Sequence, residues 1–475
     1  MNKKPNILLV VSDQHRGSAM GCAGNKQIRT PTLDKLASEG IRFTNAVSAS
    51  PVCAPYRVTL QTGLYSHQHG VCSNESLLNQ KIKGIGDYFS EAGYESCFVG
   101  KSHFGADPIP EKDGWQPVDN RFGWIHWKGT GGDHHYDTRF YDEEGNLDKK
   151  YYNRFSAEVR TDLAIEFLDK KEEGAWIMQV NYSEPHQATC MDLYEMPATR
   201  EFLRGLNKKL KLGLEDDFLV HCNPGEFYRT MPQSILTQIV PEKYLEMYQN
   251  MEIQLDPNVR EEIHTLETYM YKEYYAMVSA LDHEIGRLLS ALEDKNELEQ
   301  TIILYTSDHG DMLGACGNSG RGKGVPYQNA FRVPMIVKGG AKTLVSEGMV
   351  VEALFNSVDL LPTLLELAGI EVPMQLPGIS LAESIKGQNT AHQKDVLLGL
   401  GSWRAIFDGR FLYAMEIIED FAQPSHLIDT YKDPWDMDNL VKDSTHYDHR
   451  THLQKRLYQR LLEEKDPWMD YPSKY

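Results

Sequence analysis

Four short apolar runs in this chain each lead to side chains that can hold a cation or move a proton. Ile7–Val11 passes into Ser12-Asp13-Gln14, Cys97–Gly100 into Lys101-Ser102-His103, Trp176–Val180 towards Glu184-Pro185-His186, and Ile302–Thr306 towards Asp308-His309. As parallel strands of one sheet they would deliver all these groups to its carboxyl edge, where open α/β sheets bind ligands. One such junction is common by chance; four that converge are not. Asp13, Gln14, Asp308 and His309 offer two carboxylates, an amide oxygen and an imidazole. That oxygen-rich set suits a hard divalent cation, calcium or magnesium, and the imidazole also admits manganese or zinc. An isolated Asp more often caps a loop, so the expectation rests on the two adjacent pairs.

A fifth feature is Cys53, in Pro51-Val52-Cys53-Ala54-Pro55-Tyr56-Arg57. Pro55 and the amphipathic run after it predict a helix that starts just past the cysteine. A helix start supplies N–H donors for an anion, and Arg57 would sit in the first turn. Taken alone, a lone Cys is usually a small buried hydrophobe.

The elements that must position these groups follow from periodicity. The four runs and Val333–Val337 are short and nearly all apolar, as strands covered on both faces should be. Between them lie helical patterns: Thr30-Pro31 opening Leu33–Ser38, with Thr30 as N-cap, then Phe155–Lys171, Val259–Leu292 and Val358–Ala368. The alternation predicts an α/β fold with a large, mostly parallel sheet flanked by helices. Residues 105–150, rich in Gly, Trp and His, read as a long loop insertion, and 187–258 as irregular. After Pro377-Gly378 the pattern changes to short strand-like pieces (405–407, 411–415) and an amphipathic helix at 449–464. The expected division is a catalytic α/β domain over 1–376 and a smaller α+β subdomain over 377–475, with a small antiparallel sheet and the terminal helix.

Composition removes several classes. The 475 residues are 41% hydrophobic and 25% charged, so a packed core is expected and disorder is not. A formal charge of −19 argues against general nucleic-acid binding. No apolar stretch reaches membrane-spanning length, and Lys3-Lys4 precede a run too short for a secretory leader, so a cytoplasmic location is expected. The seven cysteines (22, 53, 72, 97, 190, 222 and 316) include no CxxC pair, which disfavours a disulfide framework or thiolate zinc site.

At this point the residues resemble a known family. Cys53-Ala54-Pro55-Tyr56-Arg57, followed by Leu60 and Thr62-Gly63, resembles the sulfatase signature, whose core is C-x-P-x-R. The likeness continues in order through Pro5-Asn6-Ile7 to Asp13, Gly100-Lys101-Ser102-His103, Pro185-His186, Ser307-Asp308-His309-Gly310, Lys323, Arg332-Val333-Pro334 and 358–363. It spans roughly residues 5 to 370.

The resemblance implies an alkaline-phosphatase-like fold, and conversion of Cys53 to Cα-formylglycine by a separate maturation enzyme. The hydrated aldehyde would be a gem-diol: one hydroxyl attacks sulfur, the alcohol leaves, and loss of the second proton expels inorganic sulfate. By the same resemblance Asp13, Gln14, Asp308 and His309, with residue 53, hold a divalent metal, calcium first, with magnesium or manganese as alternatives. Arg57 steadies the formylglycine oxygens, Lys101 and His103 serve the diol with His103 as base, and His186 and Lys323 bind sulfate and protonate the leaving alcohol. Three positions depart from the commonest pattern: Tyr56 replaces Ser, Gln14 replaces Asp, and His309 replaces Asn.

The resemblance thus implies sulfate monoester hydrolysis. A phosphonate monoester or phosphodiester hydrolase of the same superfamily is the alternative, and Lys101 with His103 argues against it. A non-catalytic sulfoconjugate-binding protein is a lesser one. Trp115, Trp124, Trp127, His134, His135 and Tyr136 fall in one segment, where aromatic faces and polar edges would suit a sugar ring. A small sulfated carbohydrate is therefore the expected substrate, although the same aromatics could simply pack the segment against the domain.

Overall fold

A computed structural model of the chain describes residues 4–79, 81–108, 112, 114–131, 138–141, 146–148, 151, 154–186, 240–261, 264–316, 322–339, 348–387 and 393–471. In chain order its strands are β1 (Asn6–Asp13), β2 (Ile41–Val47), β3 (Glu95–Lys101), β4 (His126–Thr130), β5 (Phe140–Tyr141), β6 (Leu147–Asp148), β7 (Trp176–Pro185), β8 (Thr301–Ser307), β9 (Met335–Lys338) and β10 (Met349–Asn356). The C-terminal strands are β11 (Val396–Leu400), β12 (Trp403–Phe407), β13 (Phe411–Ile418) and β14 (Phe421–Asp429).

β1 shows why the apolar runs are continuous. Leu8 and Val10 point into one core, with the helices Pro31–Glu39, Ser156–Lys170 and His264–Asp294. Ile7, Leu9 and Val11 point into another, with Cys53–Thr62, Ile85–Glu91 and Leu360–Leu367. With both faces covered, the two-residue period leaves no polar position. The main sheet has eight strands in the order β10-β2-β9-β8-β1-β7-β3-β4. All pair in parallel except β9, which runs antiparallel to both β2 and β8.

Several expectations need correction. The 105–150 segment is not all loop, because β4 pairs with β3 as the edge of the main sheet and β5 pairs with β6. Thr30 is the N-cap residue, with Pro31 opening the helix, but its side chain makes no cap bond: its hydroxyl goes to Asp34, while the Thr32 and Leu33 N–H groups donate to Asp282, at 3.0 and 2.8 Å. Of residues 187–258, 187–239 lie outside the described residues and Glu242–Gln249 is a helix.

The sheet β11-β12-β13-β14 is antiparallel. It is backed by the helix Tyr447–Glu463, whose Leu453, Leu457 and Leu461 pack on Ile406, Tyr413 and Met415. Arg332 ties the two sheets: it lies 5.0 Å over the Phe407 ring and donates to Thr430 Oγ1 at 3.2 Å. Among the described residues no helix is long and apolar enough to cross a membrane.

Candidate active site

The strands that carry the four polar junctions are neighbours, β8-β1-β7-β3, all parallel, so their carboxyl ends open on one edge. Cys53 begins the helix Cys53–Thr62, every residue of which is buried. Val52 before it is extended (φ −144°), and Gly63 closes it in the left-handed region (φ 69°), where glycine has no Cβ to clash. Asn74 Oδ1 accepts the Ala54 N–H at 3.1 Å, satisfying a helix-start donor. Tyr56 is packed in the apolar core.

Three expected groups meet the Cys53 sulfur: His309 Nε2 at 3.1 Å, Lys323 Nζ at 3.2 Å and Asp13 Oδ1 at 3.9 Å. Asp13, Cys53, Asp308 and His309, all buried, each present a ligand atom within 4.8 Å of the others. His309 Nδ1 lies 2.9 Å from the Gly310 carbonyl, so it must donate there, and in the neutral ring Nε2 is left with the lone pair a cation would need. Gln14 Oε1 accepts from Lys323 Nζ at 3.3 Å, so the amide oxygen faces the same space. These residues fit a divalent cation: the donors are two carboxylates, an amide oxygen and an imidazole nitrogen, and the acids are cut off from water.

Fixed cations hold the acids. Arg57 Nη2 donates to both Asp13 Oδ2 and Asp308 Oδ2, at 2.9 and 3.0 Å, and Lys101 Nζ lies 2.6 Å from Asp13 Oδ2. Burial pushes the Asp13 carboxyl up, yet Lys101, His186, Arg57 and His309 outweigh it and hold Asp13 well below its ordinary range. Burial and the neighbouring Asp13 push Asp308 up. At Cys53 burial and Asp13 push the thiol up, but Lys323, Lys101 and His309 win and bring it well below a usual thiol. The site therefore favours negative charge at position 53.

His186 Nε2 is 3.0 Å from Lys323 Nζ, so these two form the expected pair. Glu184, also delivered by β7, is structural: it takes Ser156 Oγ at 2.5 Å and Arg160 at 3.3 Å. Two residues apart, Lys101 and His103 would face the same side of an extended segment, but the backbone does not stay extended between them. β3 ends at Lys101, and His103 has a left-handed backbone (φ 43°). Its Nδ1 is enclosed and has no partner among the described residues. Gln14 is left-handed too (φ 64°). Such conformations cost about 1–3 kcal/mol each and gather at functional sites.

The aromatic segment is redistributed. Trp124 is buried and its Nε1 donates to Gln61 Oε1 at 2.8 Å. Trp127 stacks on Phe98 at 4.5 Å. Both contacts pack these rings against the domain at the sheet edge. Trp115 is half-buried with Lys112 Nζ 5.3 Å from its ring centroid. His134, His135 and Tyr136 lie outside the described residues.

Other supports were missed. Asn181 Nδ2 donates to the Lys101 carbonyl at 2.7 Å, at the end of a chain running back through Gln179 and Gln61 to Trp124. Gly100 (φ 101°) lets that strand approach, since a Cβ there would meet Asn181 O at 1.9 Å. Gly324, next to Lys323, donates to Pro51 O at 2.8 Å and accepts from Trp403 Nε1 at 2.7 Å. Asp311 takes Gln14 Nε2 at 2.8 Å. Asp311, Gly100 and Gly324 stood beside motif residues in the sequence; the other partners carried no local signal.

The sulfatase family model matches residues 5–370. The chain belongs to the sulfatase family. A second model, for the C-terminal part of N-sulphoglucosamine sulphohydrolase, matches residues 322–464 of this sulfatase. An ulvan-active sulfatase of Formosa agariphila is 28% identical, over 99% of this chain and 84% of its own. An N-acetylglucosamine-6-O-sulfatase of Bacteroides thetaiotaomicron is 28% identical, over 81% and 72%. A sulfatase crystal structure from Bacteroides fragilis superposes with a TM-score of 0.80 at 25% identity, covering 98% of this chain and 97% of that one. The fold is that of alkaline-phosphatase-like enzymes, and the enzyme hydrolyses sulfate esters.

Proposed function

We propose that this sulfatase cleaves a sulfate monoester on a small sulfated carbohydrate, using formylglycine at position 53 and one divalent cation held by Asp13, Gln14, Asp308 and His309. Residues 1–376 would carry the chemistry and 377–475 support it. The observation that carries the reading is the convergence of Lys323, His309 and Asp13 on the Cys53 sulfur, with His186 behind Lys323. The substrate class draws on the relative named for N-acetylglucosamine 6-O-sulfate.

When in place, formylglycine supplies a hydroxyl nucleophile with a second ionisable oxygen, and the cation supplies the positive charge that favours its ionised form. The chain's own residues do the rest. Arg57 fixes Asp13 and Asp308 in one geometry, so neither reorganises as charge moves. Lys101 neutralises Asp13. His103, two residues on, is assigned as the base for the second hydroxyl. Lys323 donates to His186 Nε2, so a proton is held beside position 53 and passes to the bridging oxygen as the alcohol departs.

The test has two arms. Mass spectrometry of the peptide carrying residue 53, from the native host, should show the aldehyde. Only unmodified thiol there would favour a binding protein. Steady-state kinetics on one matured sample should give the larger kcat/KM for sulfated mono- or disaccharides over aryl phosphonates and phosphodiesters. A much larger value for a phosphorus ester would overturn the reaction assignment, and activity confined to choline sulfate or aryl sulfates would overturn the sugar.

A further inference from the structure

We propose that Asp311 is a positioning residue that aims Gln14 at the cation site. The inference rests on the reading that Asp13, Gln14, Asp308 and His309 hold a divalent cation. The Gln14 backbone is pinned on both sides: its N–H donates to Asp308 Oδ1 at 3.0 Å, and its carbonyl accepts from Tyr274 Oη at 2.8 Å. The orientation left open is that of the amide, whose oxygen and nitrogen ends are nearly equal in shape. Asp311 decides it. A carboxylate only accepts, so its Oδ2 selects the Gln14 Nε2 end, at 2.8 Å, and turns Oε1 towards Lys323, whose Nζ also reaches Cys53. Asp311 is itself held, because its Oδ1 accepts the Leu313 N–H at 2.8 Å, and it is fully buried. A flipped amide would set oxygen against carboxylate and offer its NH2 to the Lys323 ammonium. Asp311 also places a formal negative charge directly behind a neutral ligand.

The experiment is calorimetric titration of the full chain, stripped of metal, with CaCl2 and separately with MnCl2. Asp13→Ala tests the underlying reading and should abolish binding. Asp311→Asn offers Gln14 either a donor or an acceptor, and should weaken Kd by about 10–100-fold, the usual effect of losing a partner behind a ligand. The pair Gln14→Glu with Asp311→Asn restores the charge and has no amide nitrogen at position 14 to misdirect, so it should recover parental affinity. Gln14→Ala, which leaves nothing to aim, should make Asp311→Asn silent. If Asp13→Ala abolishes binding while Asp311→Asn binds like the parent, the aiming role is overturned. It is equally overturned if Asp311→Asn is weak but the double variant does not recover, since a merely structural acid would behave so. If Asp13→Ala binds as the parent does, the cation reading itself fails.

Discussion

Removing the Lys323 ammonium is the most direct probe of the site. Its Nζ touches Cys53 Sγ, Gln14 Oε1 and His186 Nε2 at 3.2, 3.3 and 3.0 Å, so Lys323→Ala deletes an ammonium in contact with residue 53 and the donor paired with His186. At an effective dielectric of about 20, a unit charge 3.2 Å away contributes up to about 5 kcal/mol. Proton delivery to a leaving group is typically worth about 10²–10⁴ in rate, or about 3–5 kcal/mol. The two overlap, because one ammonium does both, so they are not summed. Since Lys323 is half-buried, we expect the lower part of that range, a loss of about 10²–10³ in kcat for a sugar sulfate, whose alkoxide needs the proton. For nitrophenyl sulfate, whose phenolate leaves unaided, the loss should shrink to about tenfold or less. His186→Ala should repeat the pattern, and the double variant should be no worse than the poorer single one, because the two act as a unit. The assay is kcat and kcat/KM for both esters across the three variants. Equal losses on both esters, or losses that multiply in the double variant, would refute the proton-delivery role.

Arg57→Ala leaves the buried Asp13 and Asp308 without the cation they share, and should cost about 3–5 kcal/mol of stability besides activity; a thermal midpoint equal to the parent's would contradict that account. Trp403→Phe keeps a ring in the C-terminal sheet but drops the donor to Gly324 O, so Lys323 should lose its fixed position. A fall in kcat of about tenfold, larger for sugar than for nitrophenyl sulfate, is expected, and an ester-independent fall would mark a purely structural contact. Burial pushes the Asp359 carboxyl up to about 6 from an ordinary 3.8. Its contribution to stability is therefore fully present below the ordinary value and is lost as pH rises through the raised one. Relative to Asp359→Asn, the parent should lose on the order of 3 kcal/mol between about pH 4 and pH 6. Denaturant titrations across that window would show it, and a pH-independent difference would rule it out.

Much of this architecture was legible, for physical reasons that can be named. β1 announces itself because both faces are covered, so alternation disappears and a short apolar run remains. Its neighbours β8, β7 and β3 share that property, and their polar exits marked the site edge. β2 and β10 were missed because they carry polar residues such as Thr44, Asn45 and Glu352 where the sheet nears its margin. β4 was hidden among Gly, Trp and His; its Trp127 stacks on Phe98, and Trp124 just before it donates to Gln61, contacts that no local pattern announces. The direction of β9 has no local signature, since an apolar strand reads alike in either sense.

Within the site the division is sharper. Apart from Lys323, which lies in the irregular stretch between β8 and the helix Gln328–Phe331, the groups proposed to do chemistry lie at strand exits and at one helix start, positions where periodicity breaks and a sequence can be read. The groups that aim them act through side chains distant in the chain. Lys101 is steadied through Asn181, Lys323 through the Trp403 contact at Gly324, and Gln14 through Asp311, a residue three beyond Asp308 that looks like one more loop acid. His103 makes the same point in reverse. Its spacing from Lys101 predicted a shared face, but the strand ends between them and His103 has a left-handed backbone, so spacing alone does not set where its side chain points. Spacing predicts direction only while the backbone remains regular, and a catalytic edge is where regular backbone stops.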